Sequence, residues 1–161
     1  MSTEEYNKCV DLHADALYRF LISHVGDADQ ARDLVQESFA RMWVKVDEIN
    51  GNKAKSYLFS TGYHAMIDQV RRAKKKGHFD EVQQEELAHE RQYSDLNEML
   101  HQALDTLPEI QKSVVLLRDY EGYNYNEIGE ICQLSESQVK VYIFRARKAL
   151  KAYIGSVENL V

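Results

Sequence analysis

The chain has 161 residues, of which 44% are hydrophobic, and its net charge is −6. This length allows one ordinary domain or two small ones, and the hydrophobic content is enough to build a buried core. No segment approaches the roughly 20 apolar residues that span a bilayer, and the acidic N-terminus lacks the apolar segment of a secretory signal, so we expect a cytoplasmic protein without direct membrane insertion.

The composition favours an all-α fold, because it includes one proline, seven glycines and almost no alternating β-branched runs. Two cysteines, Cys9 and Cys132, cannot form a disulfide framework. Cys9 and His13 could share a helix face, but a metal site needs about four ligands, and no CxxC or HxxxH lies beside them. Nucleotide-binding loops, GxSxG and dinucleotide glycine patterns are also absent. We therefore expect no metal, no cofactor and no catalytic residue.

The first two predicted helices follow each other closely. The first begins at a cap formed by Ser2 or Thr3. Asp27 caps the second, with Gln30 at the reciprocal position of a capping box, and this helix runs to about Val46. Six apolar side chains form its predicted buried stripe: Ala31, Leu34, Val35, Phe39, Met42 and Trp43. Four polar side chains lie on its other face: Asp33, Gln36, Glu37 and Arg41.

A loop of turn-forming residues, Asp47 to Lys53, precedes a third helix predicted from about Ala54 to Lys75. This helix is aromatic at its start, with Tyr57, Phe59 and Tyr63. These rings are two and four residues apart, so they cannot all lie on one buried face of the helix. We therefore expect some of them to be exposed. Exposed rings beside cations suit single-stranded nucleic acid, because rings stack on bases and cations hold phosphates. The cations at the end of the helix are Arg71, Arg72, Lys74, Lys75 and Lys76.

The charges are unevenly distributed along the chain. Residues 80–98 hold seven acidic side chains and one basic side chain, which account for the whole net charge of −6. The bases elsewhere cluster in the patch just described and between Lys140 and Lys151. We interpret this pattern as two small helical domains joined by a flexible acidic linker. The predicted boundaries are 1–76 for the first domain, 77–93 for the linker and 94–161 for the second domain.

The second domain is predicted to contain helices from Ser94 to Asp105 and from Pro108 to Tyr120, followed by a helix-turn-helix over Asn124 to Leu150. Only Gln133 and Leu134 remain for its turn, so its helices must cross steeply. The signals for the two helices are two capping boxes, formed by the pairs Asn124–Glu127 and Ser135–Gln138.

The second helix of this motif is strongly basic, with one acid, Glu136, at its start. The phosphates of B-DNA attract a cationic helix, and the second helix of a helix-turn-helix can enter the major groove. A solvated basic helix on an ordinary bundle is the alternative for this stretch alone. The coincidence of two caps, a tight turn and one-sided charge favours DNA binding. The bases are Lys140, Arg145, Arg147, Lys148 and Lys151.

Five segments match motifs that occur in the same order in one family. In the first half they are DLVQESF (33–39) with Trp43, and YLF (57–59) with ID (67–68) and RR (71–72). In the second half they are LP (107–108) with VVLLR (114–118), EG (121–122) with YNEI (125–128), and VK (139–140) with RARKAL (145–150). Over residues 5–155 the chain therefore resembles a bacterial RNA polymerase sigma factor of the extracytoplasmic-function (ECF) group, within the sigma-70 superfamily.

The resemblance implies a protein that binds core RNA polymerase and directs promoter recognition, promoter melting and transcription initiation. The polymerase would supply the chemistry, so the chain would not be an enzyme. The implied contacts are to the β′ clamp coiled coil and the β flap of the polymerase, and to promoter DNA. An anti-sigma protein is a further implied partner, although some family members lack one. The residues that would face the β′ clamp are Asp33, Gln36 and Glu37.

The resemblance also implies two sets of DNA contacts. The loop and the third helix would handle the −10 element, with loop amides at a flipped base, rings for stacking and cations at phosphates. That set is Asn50, Asn52, Lys53, Lys55, Tyr57, Phe59, Tyr63, Arg71 and Arg72. The basic helix would read the −35 element through Ser137, Lys140, Val141, Phe144 and Arg145. Arg147 and Lys148 would meet phosphates or neighbouring acids.

Several positions depart from the family pattern. His64 stands where the family usually has asparagine, and Gln133 stands at a turn position that is usually glycine. Three further residues replace the common threonine, serine and arginine: Gln138, Val141 and Tyr142. Promoter preference therefore does not transfer from the family to this chain.

Two other classes of protein remain as alternatives. A helix-turn-helix transcriptional regulator that acts without binding the polymerase core would explain only the second half of the chain. A helical interaction protein without DNA contacts would explain neither basic patch. Co-purification with core polymerase distinguishes the sigma factor from both.

Overall fold

The structure is a computed structural model that describes residues 1–76 and 95–158. The described residues form seven α-helices and no strand, which confirms the predicted all-α fold. The helices are α1 (Thr3–Val25), α2 (Ala28–Val44), α3 (Ala54–Lys76), α4 (Asp95–Asp105), α5 (Glu109–Val115), α6 (Tyr125–Cys132) and α7 (Glu136–Glu158). The chain divides into two compact units, one centred on α1–α3 and the other on α4–α7. The predicted acidic linker at 77–93 lies outside the described residues.

The first unit is a bundle in which α1, α2 and α3 each pack against the other two. Its helices begin where the capping signals predict. The Ser2 hydroxyl accepts a hydrogen bond from the Glu5 amide, and the Asp27 carboxylate accepts from the amides of Asp29 and Gln30. The core consists of fully buried apolar side chains from all three helices: Leu17, Phe20, Leu21, Leu34, Met42, Leu58, Phe59 and Met66.

The connection between α2 and α3 consists of two short 3₁₀ turns, Val46–Glu48 and Gly51–Lys53. Helix α2 ends at Val44, slightly earlier than predicted. The side chain of Ile49 is buried between the two turns, and it therefore anchors the loop to the bundle.

The second unit packs α4 and α5 against the long helix α7. Its core includes Leu104, Val114, Leu117, Ile128, Val139, Ile143 and Ala146, all buried. Lys112 is also buried, and its ammonium group lies 2.9 Å from the carboxylate of Asp105. This ion pair joins α5 to the end of α4 and compensates the burial of the lysine charge.

Residues Leu116–Tyr120 continue α5 as a single π-helical turn. The sequence predicts one helix that ends at Tyr120, and the helical segment does end there. After Val115, however, the helix changes from α to the wider π form. The Glu121 amide donates to the Leu116 carbonyl over 3.0 Å, five residues back, which is the π-helical spacing. The wider turn carries two charged side chains, Arg118 and Asp119, that both reach toward the helix-turn-helix.

The helix-turn-helix forms as the caps predict. Asn124 and Glu127 exchange two hydrogen bonds of 2.8 and 3.0 Å. Ser135 and Gln138 exchange two of 3.0 and 3.2 Å. Gln133, the first of the two turn residues, has φ 58° and ψ 50° and lies in the left-handed region. A side chain in this region crowds its own carbonyl, so the backbone is strained at this position.

Replacing Gln133 with glycine should therefore stabilise the second unit. Glycine adopts the left-handed region without steric cost, but its more flexible unfolded chain costs part of that gain in conformational entropy. We therefore expect the free energy of unfolding to rise by about 0.5–1 kcal/mol. Urea unfolding followed by circular dichroism measures the difference. Replacing Ala149, an exposed residue of α7 whose backbone is helical, with glycine is the control and should lower stability. A less stable Gln133→Gly protein would contradict the strain argument.

Candidate nucleic-acid interface and partner surface

The second helix of the helix-turn-helix, α7, has one buried face and one exposed face. Val139, Ile143 and Ala146 lie in the core of the second unit. The residues predicted for the −35 element recur at helical spacing on the opposite side. All seven are exposed: Ser137, Lys140, Val141, Phe144, Arg145, Arg147 and Lys148. The packing of the unit therefore presents these side chains together as one surface, which we call the α7 face.

The cations of the α7 face differ in their partners. The Arg147 guanidinium contacts the Asp119 carboxylate through Nη2 at 2.6 Å and Nε at 3.2 Å. This bidentate hydrogen bonding raises the pKa of Arg147. Arg145 and Lys148 form no ion pair within the described part of the chain. Arg147 therefore ties α7 to the π-helical turn, whereas Arg145 and Lys148 remain available to a ligand.

Lys140, near the start of α7, is held by two neighbours. Its ammonium lies 3.6 Å from the Glu136 carboxylate and 5.5 Å from the centre of the Tyr125 ring. The same ring receives the Arg118 guanidinium at 4.6 Å, and Arg118 also donates to the Tyr123 carbonyl over 3.0 Å. Cations over an aromatic ring are attracted to its electron-rich face. This cluster links the π-helical turn, the start of α6 and the start of α7.

Two apolar side chains lie among the cations of the α7 face. Phe144 is 68% exposed and Val141 is 45% exposed. They are three residues apart on α7, so they lie on the same side of the helix. The centre of this cationic surface is therefore apolar.

In the first unit, the residues predicted to meet polymerase lie on one exposed side of α2. Asp33, Gln36 and Glu37 are all exposed. The Glu37 carboxylate pairs with Arg41, one turn further along, at 2.5 Å. The polar side chains of this surface therefore remain open to a partner, with Glu37 partly neutralised by its neighbour.

Trp43 corrects the predicted buried stripe of α2. It is 47% exposed, and the adjacent Val44 is 82% exposed. Trp43 follows Gln36 by seven residues, two helical turns, so it continues the exposed side rather than the buried one. The Tyr6 ring of α1 packs against it with centroids 4.9 Å apart. The seven-residue spacing was the sequence signal for this exposed aromatic.

The loop predicted to handle a flipped base is anchored to the first unit. The Asn50 side chain accepts a hydrogen bond from the Asn52 amide at 3.1 Å. The amino group of Met1 donates to the carbonyls of Val46 and Ile49 over 3.0 and 2.8 Å. The side chains of Asn50, Asn52 and Lys53 are exposed, whereas Lys55 is half-buried.

Two of the three rings predicted for stacking are buried, which corrects that part of the prediction. Phe59 is fully buried and contacts Phe20 with centroids 5.8 Å apart. Tyr63, one turn further along α3, is also buried. Tyr57 is half-buried, so it is the most exposed of the three residues. Phe59 and Tyr63 share the core face with Met66, because these positions recur at helical spacing, while Tyr57 points elsewhere.

The end of α3 presents cations. Arg71, Arg72 and Lys74 are all exposed. The remaining two lysines of this predicted patch have side chains outside the described residues. Exposed cations close together at one helix end create a positive potential that attracts phosphates.

Neither cysteine is arranged for chemistry. Both are buried thiols. Burial raises the pKa of Cys9 and raises the pKa of Cys132 to about 12, so both stay protonated at neutral pH. Burial, together with the nearby charge of Lys55, lowers the pKa of His13. Among the described residues no three side chains are grouped as metal ligands, and no described helix is long and apolar enough to cross a membrane.

The fold and the α7 face define a class of protein. A helical unit whose helix-turn-helix exposes a basic second helix has the architecture of a major-groove DNA-binding domain. The first unit adds an amphipathic surface on α2 and a basic helix end on α3. A regulator that binds DNA only through a helix-turn-helix does not explain these surfaces of the first unit.

Comparison with known proteins gives the family. Residues 9–76 match the model for sigma-70 region 2, and residues 97–150 match the model for sigma-70 region 4. The chain is 31% identical over 149 residues to the ECF RNA polymerase sigma factor SigM of Bacillus subtilis, covering 88% of this chain and 90% of SigM. It is 33% identical over 146 residues to the RNA polymerase sigma factor SigV of the same organism, covering 89% and 87%.

A solved structure agrees with these matches. The sigma factor RpoE from Bartonella quintana, crystallised with the anti-sigma factor NepR, superposes with a TM-score of 0.79 at 26% identity over 95% of this chain and 98% of that one. The chain therefore belongs to the ECF group of the sigma-70 family. It is a sigma factor, which directs RNA polymerase to promoters, and the alternative of a regulator acting without polymerase is not favoured.

Proposed function

We propose that the two units of this sigma factor engage separate elements of its promoters. In this assignment the α7 face reads the −35 element, and the loop after α2 with helix α3 engages the −10 element. The observation that carries the proposal is that all seven side chains assigned to the −35 element are exposed together, opposite the buried stripe of α7. The core polymerase supplies the chemistry, and the protein acts in the cytoplasm with it.

At the −35 element, Arg145 and Lys148 are the cations with the greatest freedom to contact DNA. Residues in the first half of a recognition helix reach base edges, so Ser137, Lys140 and Val141 are assigned to the groove floor. Arg147 has a different role in the proposal. Its bidentate contact with Asp119 makes it a positioning residue that sets the orientation of α7.

At the −10 element, the proposal divides the loop and α3 by exposure. Asn52 and Lys53 are exposed and are assigned to a flipped base and its phosphate, with the Asn50 side chain shaping the loop. Tyr57 is the ring assigned to stacking. Phe59 and Tyr63 instead form the rigid support beneath this surface. The exposed cations Arg71 and Arg72, with the half-buried Lys55, are assigned to phosphates.

For core polymerase, the proposal assigns the exposed side of α2 to the β′ clamp coiled coil. Interfaces combine an apolar, often aromatic, centre with a polar rim. Trp43 and Val44 supply the apolar part, and Asp33, Gln36 and Glu37 supply the rim. The second unit is assigned to the β flap on the family resemblance alone.

An anti-sigma partner is also part of the proposal. The related RpoE structure contains the anti-sigma factor NepR. A sigma factor with exposed DNA-binding and polymerase-binding surfaces can be held inactive by a protein that covers them.

Reconstitution with core polymerase tests the proposed function. Purified protein is mixed with core enzyme and sheared genomic DNA, and run-off transcripts are sequenced. We expect transcripts that depend on the added protein and share two upstream elements. A protein that shifts the same DNA without core enzyme, and adds no transcripts with it, would support the helix-turn-helix regulator instead.

A further inference from the structure

The apolar centre of the α7 face is unusual for a surface that meets a polyanion. Phe144 is 68% exposed and Val141 is 45% exposed. The exposed cations Lys140, Arg145 and Lys148 lie on the same face. The cations account for attraction to phosphates, but neither apolar side chain can donate or accept a hydrogen bond. Water leaves both side chains only when a ligand covers them.

The major groove offers one apolar group that distinguishes a base pair. This group is the C5 methyl of thymine, which contacts apolar side chains such as phenylalanine. We propose that Val141 and Phe144 read thymine methyl groups within the −35 element. The inference rests on the proposed function, because it requires α7 to enter the major groove. It concerns this chain in particular, since the family motif has serine at the position of Val141.

The spacing of the two side chains limits which thymines they can reach. Three residues of α-helix advance by about 4.5 Å along the axis. Successive base pairs of one strand are about 3.4 Å apart. Val141 and Phe144 should therefore contact thymines in adjacent base pairs or one base pair apart, on either strand. Phe144 is the longer side chain and the more exposed, so its thymine should show the larger effect.

Deoxyuridine tests the inference, because it differs from thymidine only by the missing methyl group. Each thymine of the −35 element of a promoter found by run-off transcription is replaced singly, and holoenzyme binding to each duplex is measured by competition. We expect binding to weaken about threefold to fivefold at one or two neighbouring positions, as befits one lost methyl contact. Replacement of thymines in the spacer between the two elements should have no effect.

Matched variants identify the side chains responsible. Phe144→Ala and Val141→Ala should each bind the thymidine and deoxyuridine duplexes equally at one of the sensitive positions. Both side chains are exposed, so these variants should unfold at the wild-type temperature. Leu12→Ala is the matched control, because Leu12 is an apolar residue of α1 that is 62% exposed. It should retain the full difference between the two duplexes.

The outcomes separate this inference from the proposed function. If deoxyuridine has no effect while Arg145→Ala still weakens binding to the −35 element, methyl recognition is wrong and the α7 assignment stands. If neither change affects binding, the α7 assignment fails as well. If Phe144→Ala weakens binding to core polymerase in the absence of DNA, with no deoxyuridine effect in the wild type, the apolar centre contacts protein and the inference is overturned.

Discussion

Replacing Trp43 with alanine is expected to weaken the binding of this sigma factor to core RNA polymerase by about 30-fold, the typical effect of removing an aromatic interface anchor. Trp43 is exposed although it is large and apolar, and it lies two turns from Gln36 on the same side of α2. Large aromatic side chains at the centre of an interface bury much apolar area at little entropic cost. Fluorescence anisotropy with labelled protein and core enzyme measures the affinity.

Controls must separate the loss of polymerase affinity in Trp43→Ala from any loss of folding stability. The Tyr6 ring contacts Trp43, so the alanine variant should also lose about 1 kcal/mol of unfolding free energy. Trp43→Phe retains a ring and should keep affinity within about fivefold of wild type. Leu12→Ala removes an exposed apolar side chain from α1 and should bind normally. If a folded Trp43→Ala protein bound core polymerase with wild-type affinity, the assignment of α2 to the polymerase interface would be wrong.

Arg145→Ala is expected to reduce holoenzyme binding to a promoter with an intact −35 element by about 10-fold to 100-fold, since good base contacts discriminate by about 1–3 kcal/mol each. The Arg145 guanidinium is exposed and forms no ion pair among the described residues. Its loss should leave the fold unchanged. The measurement is competition binding against a set of promoters that carry single changes in the −35 element.

Arg147→Ala provides the contrast on the same helix. Arg147 pairs with Asp119 across 2.6 Å, and both side chains are partly exposed. We expect the free energy of unfolding to fall by about 0.5–1 kcal/mol, because solvent screens an ion pair at the surface. We also expect a smaller loss of promoter binding than for Arg145→Ala. Asp119→Ala should reproduce the stability loss. The assignment of roles would be reversed if Arg147→Ala removed base discrimination and Arg145→Ala did not.

Local signals predicted much of the second unit. A cap is a hydrogen bond between residues three apart, so Asn124 with Glu127 and Ser135 with Gln138 could be identified without knowing the fold. The left-handed turn at Gln133 was foreshadowed only by the family resemblance, because that position is usually glycine. The clustering of the predicted −35 residues on the exposed side of α7 follows from the same periodicity.

Other features depended on packing between helices. A ring on an amphipathic helix can face the core or a partner, and composition does not distinguish these outcomes. Trp43 was predicted to be buried and is exposed, because α1 and α3 cover the opposite side of α2. Phe59 was predicted for stacking and is buried, because it contacts Phe20 of α1 in the bundle core. Tyr63 was predicted for stacking and is buried as well.

By itself the sequence determined the helices, their caps, the helix-turn-helix and the family, because each depends on hydrogen bonds or motifs within a few residues. Only the tertiary structure decided which aromatic rings reach solvent and which arginine of α7 is committed to an ion pair. It also revealed the π-helical turn that brings Asp119 to Arg147. These features depend on contacts between helices that are distant in sequence. Those contacts determine which face of each amphipathic helix is buried and which face remains in water.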